Sequence, residues 1–300
     1  MSQIKSALLG RELSHSISSQ LHQELFPIIS AKYSNNIGGI DYSLVECPSE
    51  NDFKQWIAAA RPNKYFGVNI TYPYKNVAYE VADRRVGASG IIKSANVIRY
   101  SNPIIEATST DGQGFLNALL REYPTFDLEP YHLVVLGAGA AAKAVVYALC
   151  TKWMPLSLTI VNRSIPQAQE LAEFCLAESP GPSVKILSIN DFALSFDEPR
   201  RRLVIQATPV GQSNHSGNIA AGFSFSDSDM AIDLVYHPAK TSFLQSAQSA
   251  GAKTLGGLGM LIEQAALSQV FWFTGLSPII SPLSDDEFKT VYSSVVPLVQ

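Results

Sequence analysis

A glycine-rich turn between an apolar strand and a helix constrains the fold of this chain more than any other feature. The apolar run HLVVLG at 132–137 leads into this turn, and the alanine-rich helix AAAKAVVYALC follows it. Small residues in such a turn let the backbone approach a pyrophosphate at the positive end of the helix. The turn predicts a dinucleotide site, and a turn that only needs small residues for packing is the alternative. The site would consist of Gly137, Ala138, Gly139, Ala140 and Ala141.

Strands and helices alternate along most of the chain. After the turn, strands are predicted at 157–164, 185–189, 203–209 and 230–236, with a helix at 166–177. This succession predicts a doubly wound sheet of the Rossmann type. Before the turn, strands are predicted at 6–10, 42–45, 67–70 and 95–100, and helices at 19–30, 51–60 and 76–84. The chain returns to helices at 241–250 and 260–275 and after residue 284. A length of 300 residues suits two domains of class α/β.

Composition excludes several classes of function. The formal net charge is −4 and only 16% of the residues are charged, so no basic field exists for nucleic acid. The longest apolar stretch, 133–150, contains Lys143 and two glycines, whereas a membrane helix needs about 20 apolar residues without such breaks. We therefore expect neither a nucleic-acid nor a membrane partner.

Cysteine and histidine usage predicts the compartment and argues against a metal. Cys47, Cys150 and Cys175 have no paired spacing, and the first residues show no charged segment leading into an apolar one. These features predict a protein of the reducing cytoplasm without disulfides. The five histidines never recur at a metal-ligand spacing, so no metal site is expected.

The strand after the turn bears on the choice of cofactor. It ends in Asn162-Arg163-Ser164, about 25 residues beyond the turn, where an NAD-specific fold usually places a carboxylate on the ribose 2′-hydroxyl. A guanidinium can instead pair with a 2′-phosphate and stack on adenine. The segment favours NADP, with NAD as a possible cofactor and a merely solubilising Arg163 as the alternative. Thr208 and Pro209 form a further tight turn at the same edge of the sheet, which by itself could be an ordinary loop.

Polar residues of the first third form a second constellation. In the segment NITYPYK, Pro73 stiffens the backbone, so Asn69, Thr71 and Lys75 are expected to project from a fixed loop. Lys75 could equally be a surface lysine. Asn96 ends the segment SAN, and Asp111 in TDGQG stands at a helix start, where a helix N-cap is the alternative.

Two further hydroxyl groups precede the first helix. Ser16 and Ser18 lie in the segment SHSISS, where hydroxyl and backbone N–H groups can hold a carboxylate. Simple N-capping of the helix is the alternative.

Taken in order, these motifs resemble the shikimate dehydrogenase family, which includes quinate/shikimate dehydrogenases and aminoshikimate relatives. The resemblance runs from residue 9 to residue 275. It rests on six segments: NITYPYK, TDGQG, GAGAAAKA, NRS, DLVYHPAKTSFL and GLGMLIEQA.

The resemblance implies a role for each matching residue. Lys75 and Asp111 match the catalytic pair, and Asp111 and Asn96 match residues that hold ring hydroxyls. Ser16 and Ser18 match the residues that bind the substrate carboxylate. The remaining substrate residues would be Thr71, Gln264 and Tyr236. The cofactor residues would be Gly137, Ala138, Gly139, Ala140, Ala141, Asn162, Arg163, Ser164, Thr208, Pro209 and Gly257.

The resemblance also implies domains and an activity. We expect an N-terminal α/β substrate domain of residues 1–108, to which 256–300 return, and a Rossmann-like NADP-binding domain of 109–255. The expected activity is the reversible, NADP-dependent reduction of 3-dehydroshikimate to shikimate in aromatic amino acid biosynthesis. A quinate/shikimate or aminoshikimate dehydrogenase is the alternative within the same class of enzyme. A catalytically silent, shikimate-binding regulator is the alternative from another functional class. A monomer and a homodimer both remain open.

Several positions depart from the family pattern. Most lie beside the residues that match the family's ligand-binding positions. The type of reaction is therefore less affected by these departures than the identity of the ring substituents of the substrate, which they leave open. The departures are Arg11, Ser19, Val97, Ser109, Ala140 and Gly256.

Overall fold

A computed structural model of the chain describes residues 3–34, 37–60, 65–178, 181–195, 200–212 and 215–300. Within these ranges the strands are β1 Gln3–Gly10, β2 Gly39–Glu46, β3 Tyr65–Ile70, β4 Arg84–Val86, β5 Val97–Ser101, β6 Ile104–Thr108, β7 Tyr131–Leu136, β8 Ser157–Val161, β9 Ser183–Leu187, β10 Arg201–Gln206, β11 Met230–Asp233 and β12 Lys253–Leu255. The helices are α1 Ser18–Tyr33, α2 Glu50–Ala60, α3 Lys75–Val81, α4 Ser89–Ile92, α5 Asp111–Glu122, α6 Ala140–Trp153, α7 Ile165–Glu178, α8 Ile189–Ser195, α9 Ser242–Ser249, α10 Leu258–Thr274 and α11 Asp285–Val295, and a 3₁₀ turn covers Val296–Leu298.

The chain divides into two compact units. One consists of Met1–Gly114 and Ile262–Leu298, the other of Phe115–Leu261 and Val299–Gln300. The expected α/β class with two sheet-based units is confirmed. Two of the three divisions, after Gly114 and after Leu261, fall within helices α5 and α10, and the third follows Leu298. The expected domain boundaries, 108/109 and 255/256, lie near the first two divisions and stay a prediction.

The first unit is built on a mixed sheet with the strand order β2-β1-β3-β5-β6-β4. Strands β1, β2 and β3 are parallel, whereas β3, β5 and β6 are antiparallel neighbours. Strands β5 and β6 form a hairpin across Asn102 and Pro103, with Ser101 paired to Ile104. The predicted strand at 95–100 is therefore only half of a hairpin that ends just before TDGQG.

Helix α10 packs against this sheet at very short range. Trp272 is fully buried, and its indole N–H donates to the carbonyl of Ile98 over 3.1 Å. A Cβ atom at Gly67 would overlap the same indole ring. Strand β3 therefore needs glycine at this position so that α10 can cover the sheet.

The second unit is built on a wholly parallel sheet with the order β12-β11-β10-β7-β8-β9. The chain runs outward from β7 to one side through β8 and β9, and to the other side through β10, β11 and β12. The order therefore reverses at β7, which is the strand that precedes the glycine-rich turn. Ligands of open parallel sheets bind at the carboxyl ends of the strands at such a point.

The described residues contain no helix that is long and apolar enough to cross a membrane. Cys47, Cys150 and Cys175 are free thiols, and all three are buried.

A buried histidine lies where helix α1 meets the first sheet. The ring of His22 stacks on Tyr42 with the ring centroids 4.3 Å apart. Gln269 on α10 donates its amide N–H groups to His22 Nδ1 over 3.1 Å and to the His22 carbonyl over 3.0 Å. Burial lowers the pKa of His22 from 6.5 to about 3, so the ring is neutral in the folded protein at neutral pH.

This histidine should make the protein sensitive to acid. Between pH 6.5 and about 3 the unfolded chain binds a proton at His22 that the folded chain does not bind. The free energy of unfolding should then fall with decreasing pH by up to about 1.4 kcal/mol per pH unit from this group. In His22→Phe, which keeps an aromatic ring against Tyr42, urea denaturation at pH 7 and pH 5 should show a smaller difference than in wild type. His215→Gln, at an exposed histidine, is the control and should keep the wild-type difference. Equal differences in His22→Phe and wild type would contradict this assignment.

Candidate active site

An ion pair joins the two residues with the strongest catalytic prediction. Lys75 Nζ lies 2.6 Å from Asp111 Oδ2, and the side chains are 17% and 7% exposed. Lys75 is the first residue of α3 and Asp111 is the first residue of α5. Lys75 thus begins a helix and does not stand in the loop where it was predicted. The pair is shielded from most solvent, and the lysine remains accessible enough to contact a ligand.

The backbone around Lys75 is fixed from two sides. The N–H of Thr71 donates to the carbonyl of Leu9 at the end of β1, over 2.9 Å. The carbonyl of Lys75 accepts from the N–H of Ala95, also over 2.9 Å. The segment NITYPYK is therefore tied both to the first strand and to the segment that ends in Asn96.

The side-chain amide of Asn96 connects the neighbouring elements. Its Oδ1 accepts from the N–H of Thr110 over 2.8 Å. Its Nδ2 lies 2.9 Å from Asp111 Oδ1, 3.0 Å from Thr110 Oγ1 and 3.1 Å from Gln264 Oε1. An amide nitrogen has two hydrogens, so three acceptors compete for them. A hydroxyl group of a ligand can enter this competition by donating to one of the same acceptors.

A glycine allows helix α5 to approach helix α10 at this point. A Cβ atom at Gly114 would lie 2.7 Å from the Cβ and 2.8 Å from the backbone N of Gln264. The hydroxyl of Thr110 donates to the carbonyl of Gln264 over 3.1 Å. The last glycine of TDGQG is thus required for close packing, and this packing brings Gln264 next to Asn96.

A buried polar chain continues behind the pair. Asn69 was expected to project from a loop, but it lies in β3, is buried, and accepts from the hydroxyl of Tyr42 over 3.0 Å. Its Nδ2 donates to Ser268 Oγ over 3.0 Å, and Ser268 Oγ lies 3.3 Å from Thr110 Oγ1. The expectation that Asn69 projects from a loop is wrong, because its side chain makes hydrogen bonds in the interior of the first unit.

Thr110 and Ser268 belong to this polar cluster but were not among the predicted site residues. Thr110 was visible inside TDGQG, immediately before the aspartate. Ser268 stands four residues after Gln264 on the same helix, and its hydroxyl donates to the Gln264 carbonyl over 2.7 Å. A polar residue at this spacing from Gln264, on the same face of a mainly apolar helix, was the available signal.

The two predicted carboxylate ligands lie side by side at the start of α1. Ser16 Oγ donates to Ser18 Oγ over 3.0 Å and accepts from the N–H of Ser18 over 3.2 Å. The N-cap position of α1 is Ile17, which provides no side-chain bond. Both hydroxyls and the start of the helix therefore face the same small region, and their role in binding stays a prediction.

In the second unit, the glycine-rich turn has the form that a pyrophosphate site needs. Gly137 has a φ of +112°, a value that favours glycine. Gly139 is the N-cap of α6 without a side-chain bond, and a Cβ atom placed on it would meet nothing within 4 Å. The space before α6 is open and the first N–H groups of the helix lack a side-chain acceptor. Ala138, Ala140 and Ala141 complete a turn that fits a dinucleotide.

The end of β8 carries the residues predicted to select the cofactor. Asn162 Nδ2 donates to the carbonyl of Ser164 over 2.9 Å and to Gln167 Oε1 over 3.3 Å, which orders the turn. Arg163 is exposed. The guanidinium is therefore accessible to an anion at the same edge of the sheet as the glycine-rich turn.

The turn after β11 is held by a buried carboxyl group. Asp233 accepts from the N–H of Val235 over 2.9 Å and from the hydroxyl of Thr241 over 2.5 Å. Burial raises the pKa of Asp233 to about 6. Tyr236 follows in this turn and is half-buried. A Cβ atom at Gly257 would collide with the carbonyl of Leu234, so packing alone explains this glycine, and its role in cofactor binding stays a prediction.

The part of the chain that the structure describes contains no cluster of three His, Cys, Asp or Glu side chains that could hold a metal ion.

Comparison with known proteins assigns the family. Residues 8–98 match the model of the shikimate dehydrogenase substrate binding domain. The chain is 31% identical over 274 residues to the NADP(+) shikimate dehydrogenase of Methanopyrus kandleri, covering 91% of each chain. It is 32% identical over 269 residues to the corresponding enzyme of Salinibacter ruber, covering 88% of this chain and 90% of the other.

Solved structures share the fold. A shikimate dehydrogenase in complex with NADP+ superposes with a TM-score of 0.79 at 23% identity, covering 98% of this chain and 96% of the other. A quinate dehydrogenase from Corynebacterium glutamicum in complex with NAD has a TM-score of 0.77 at 23% identity, covering 98% and 100%. The fold, the glycine-rich turn and the lysine–aspartate pair define a two-unit α/β protein of the dinucleotide-dependent dehydrogenase class. Within that class, the chain belongs to the shikimate dehydrogenase family, as the sequence motifs predicted.

Proposed function

We propose that this protein is an NADP-dependent shikimate dehydrogenase that catalyses the reversible reduction of 3-dehydroshikimate to shikimate. The observation that carries the proposal is the partly buried pair of Lys75 and Asp111, held by Asn96 beside Gln264. The relatives that match over most of the chain bear the name of this activity.

The chemistry of the pair suits reduction of a ketone. In the direction of reduction, Lys75 Nζ donates a proton to the ketone oxygen, and in the direction of oxidation it accepts the proton from the hydroxyl. Asp111 Oδ2 holds the ammonium group in place, and its Oδ1 can accept from a neighbouring ring hydroxyl in competition with Asn96. The dinucleotide supplies or accepts the hydride when it is bound.

The remaining polar residues of the first unit orient the ring. The hydroxyls of Ser16 and Ser18, with the start of α1, bind the substrate carboxylate. Thr71 and Gln264 contact ring hydroxyls, because Thr71 follows β3 on the way to Lys75 and Gln264 adjoins Asn96. Binding at several fixed points places the reacting carbon, which is how an enzyme offsets the entropy of bringing the reactants together.

The second unit binds the cofactor. The turn 137–141 takes the pyrophosphate, Arg163 with Asn162 and Ser164 takes the 2′-phosphate of NADP, and Thr208, Pro209 and Gly257 complete the cofactor site. Tyr236 is a further proposed substrate residue. We further propose that the protein acts in the cytoplasm on a small-molecule substrate, as a monomer or a homodimer, without nucleic-acid or membrane partners.

The direct test follows the absorbance of the reduced nicotinamide with four pairs of reactants. Shikimate and quinate are each combined with NADP+ and with NAD+. Shikimate with NADP+ should give the highest kcat/KM. A higher value with quinate would replace the proposed substrate by its alternative. Absence of turnover in all four pairs, together with binding of shikimate, would identify a silent ligand-binding protein.

Replacement of Lys75 should affect chemistry more than binding. Lys75→Ala should lower kcat by about 10²- to 10⁴-fold with a smaller change in the KM for shikimate, because the lysine moves a proton. Asp111→Asn should lower kcat and also raise KM, since its carboxylate contacts the substrate. The control is Lys54→Ala, which removes an exposed lysine that pairs with Glu50 over 2.5 Å. A Lys75→Ala enzyme within a few-fold of wild-type kcat would show that the lysine has no catalytic role.

Replacement of Arg163 should change the choice of cofactor. Hydrogen bonds to charged groups contribute about 1.5 to 3 kcal/mol, so Arg163→Ala should lower the NADP+ to NAD+ ratio of kcat/KM by about 10- to 100-fold. Arg201→Ala is the matched control, because Arg201 is an exposed arginine at the opposite end of the same sheet. An unchanged ratio in Arg163→Ala would refute the assignment of the 2′-phosphate to this residue.

A further inference from the structure

One buried side chain determines the shape of the loop that follows β10. Gln206 is the last residue of this strand and is fully buried. Its Oε1 accepts from the N–H of Thr208 over 2.6 Å and from the hydroxyl of Thr208 over 2.8 Å. Its Nε2 donates to the carbonyls of Thr208 over 3.1 Å and Val210 over 2.6 Å. Both amide hydrogens and both lone pairs of the amide oxygen are therefore used within the next four residues.

The loop depends on this amide because few other groups can replace it. Pro209 has no N–H to donate. The hydroxyl of Thr208 accepts from the N–H of Val210 over 3.2 Å and already donates to Gln206, so toward a ligand it can only accept. Without the Gln206 amide, one N–H and two carbonyl groups of the loop would lose their partner, and the loop would have to change its shape to regain one.

The loop packs directly against the glycine-rich turn. Gln206 pairs with Leu136, and the N–H of Ala207 donates to the Leu136 carbonyl over 2.8 Å. A Cβ atom at Gly137 would lie 2.9 Å from Thr208 Cγ2 and 3.0 Å from the carbonyl oxygen of Ala207. The loop is therefore in direct contact with the glycine-rich turn on the side of β10.

The strand order indicates which half of the dinucleotide meets this loop. In a bound dinucleotide, the pyrophosphate would lie at the reversal point beyond β7, and the adenosine ribose would lie on the side of β8, where Arg163 stands. The nicotinamide half would then extend to the other side, which is the side of β10 and its loop. Gln206, at the base of this loop, would lie on the side of the reactive half of the cofactor.

We propose that Gln206 is a positioning residue that fixes the loop 207–210 against the glycine-rich turn and thereby sets the affinity for the nicotinamide half of the dinucleotide. The inference rests on the proposed function, because it assumes a dinucleotide at this edge of the sheet. The amide acts through the loop and does not itself contact the ligand.

The test compares two nucleotides by isothermal titration calorimetry. NADP+ occupies both halves of the site, whereas adenosine 2′,5′-bisphosphate occupies only the adenosine half. Gln206→Met, which preserves the length of the side chain and removes its hydrogen bonds, should weaken NADP+ binding at least about 10-fold and leave the bisphosphate within about 2-fold of wild type. Gln206→Asn, whose amide is one methylene shorter, should act in the same direction and keeps a polar group if the methionine variant does not fold.

Two controls separate positioning from general stability. Ser157→Ala removes a buried hydrogen bond of 2.7 Å to His132 at the far end of the same sheet. It should lower the melting temperature and leave both affinities unchanged. Arg163→Ala should weaken both nucleotides.

Three outcomes would overturn the inference. They are unchanged NADP+ affinity in a folded Gln206 variant, equal losses for both nucleotides, and a wild-type protein that binds neither. Because the titrations contain no substrate, a wild type that binds NADP+ but does not turn over shikimate contradicts the proposed function, and the same titrations still decide on Gln206.

Discussion

The side-chain amide of Asn96 joins the start of helix α5 to helix α10 in the candidate active site. It contacts the residue before α5, the carboxylate that begins α5, and Gln264 on α10. Asn96 is only 3% exposed, and a buried amide of this kind is costly unless its bonds are made. The folded state must therefore bring the start of α5 and helix α10 to it at once. Because the ion pair of Lys75 and Asp111 uses the same carboxylate, the position of this pair depends on the amide.

Close approach of helices makes that arrangement possible, and glycines permit the approach. Gly114 lets α5 meet α10 at Gln264, and Gly67 lets β3 meet α10 at Trp272. Helix α10 thus covers the hydrophobic interior of the first unit with one part of its surface and supplies a polar residue to the site with another. A larger side chain at either glycine would move the helix, and with it the partner of Asn96, so packing and chemistry cannot be separated in this unit.

The sequence predicted the parts of the fold that have long apolar runs or motif residues. The parallel sheet of the second unit was recognisable because β7, β8, β11 and the last four residues of β10 are buried on both faces and are mainly apolar. The short strands β4 and β12 and the return strand β6 gave no comparable signal. The buried polar chain was also missed, since Asn69 and Ser268 are 199 positions apart and only the folded sheet brings them together. The local sequence pattern singled out Lys75, Asp111 and Asn96, but it could not show that Lys75 and Asn96 contact the same carboxylate.

The ends of strands and helices around the glycine-rich turn obtain their hydrogen bonds in different ways. In the second unit, the side chains that end β10 and β11, Gln206 and Asp233, each fold back onto the N–H two residues later. The N–H groups of these turns are paired with side chains of the same turns, so the turns need no ligand to be ordered. Helix α9 of the same unit is likewise capped by the side chain of Thr241. Helix α6, by contrast, begins at a glycine without a cap, and so its first N–H groups remain to be satisfied by water or an anion. The turns after β10 and β11 are therefore ordered before a ligand binds, and only the N–H groups at the start of α6 need a partner. An incoming phosphate can accept from these N–H groups, so binding requires little reorganisation of the protein.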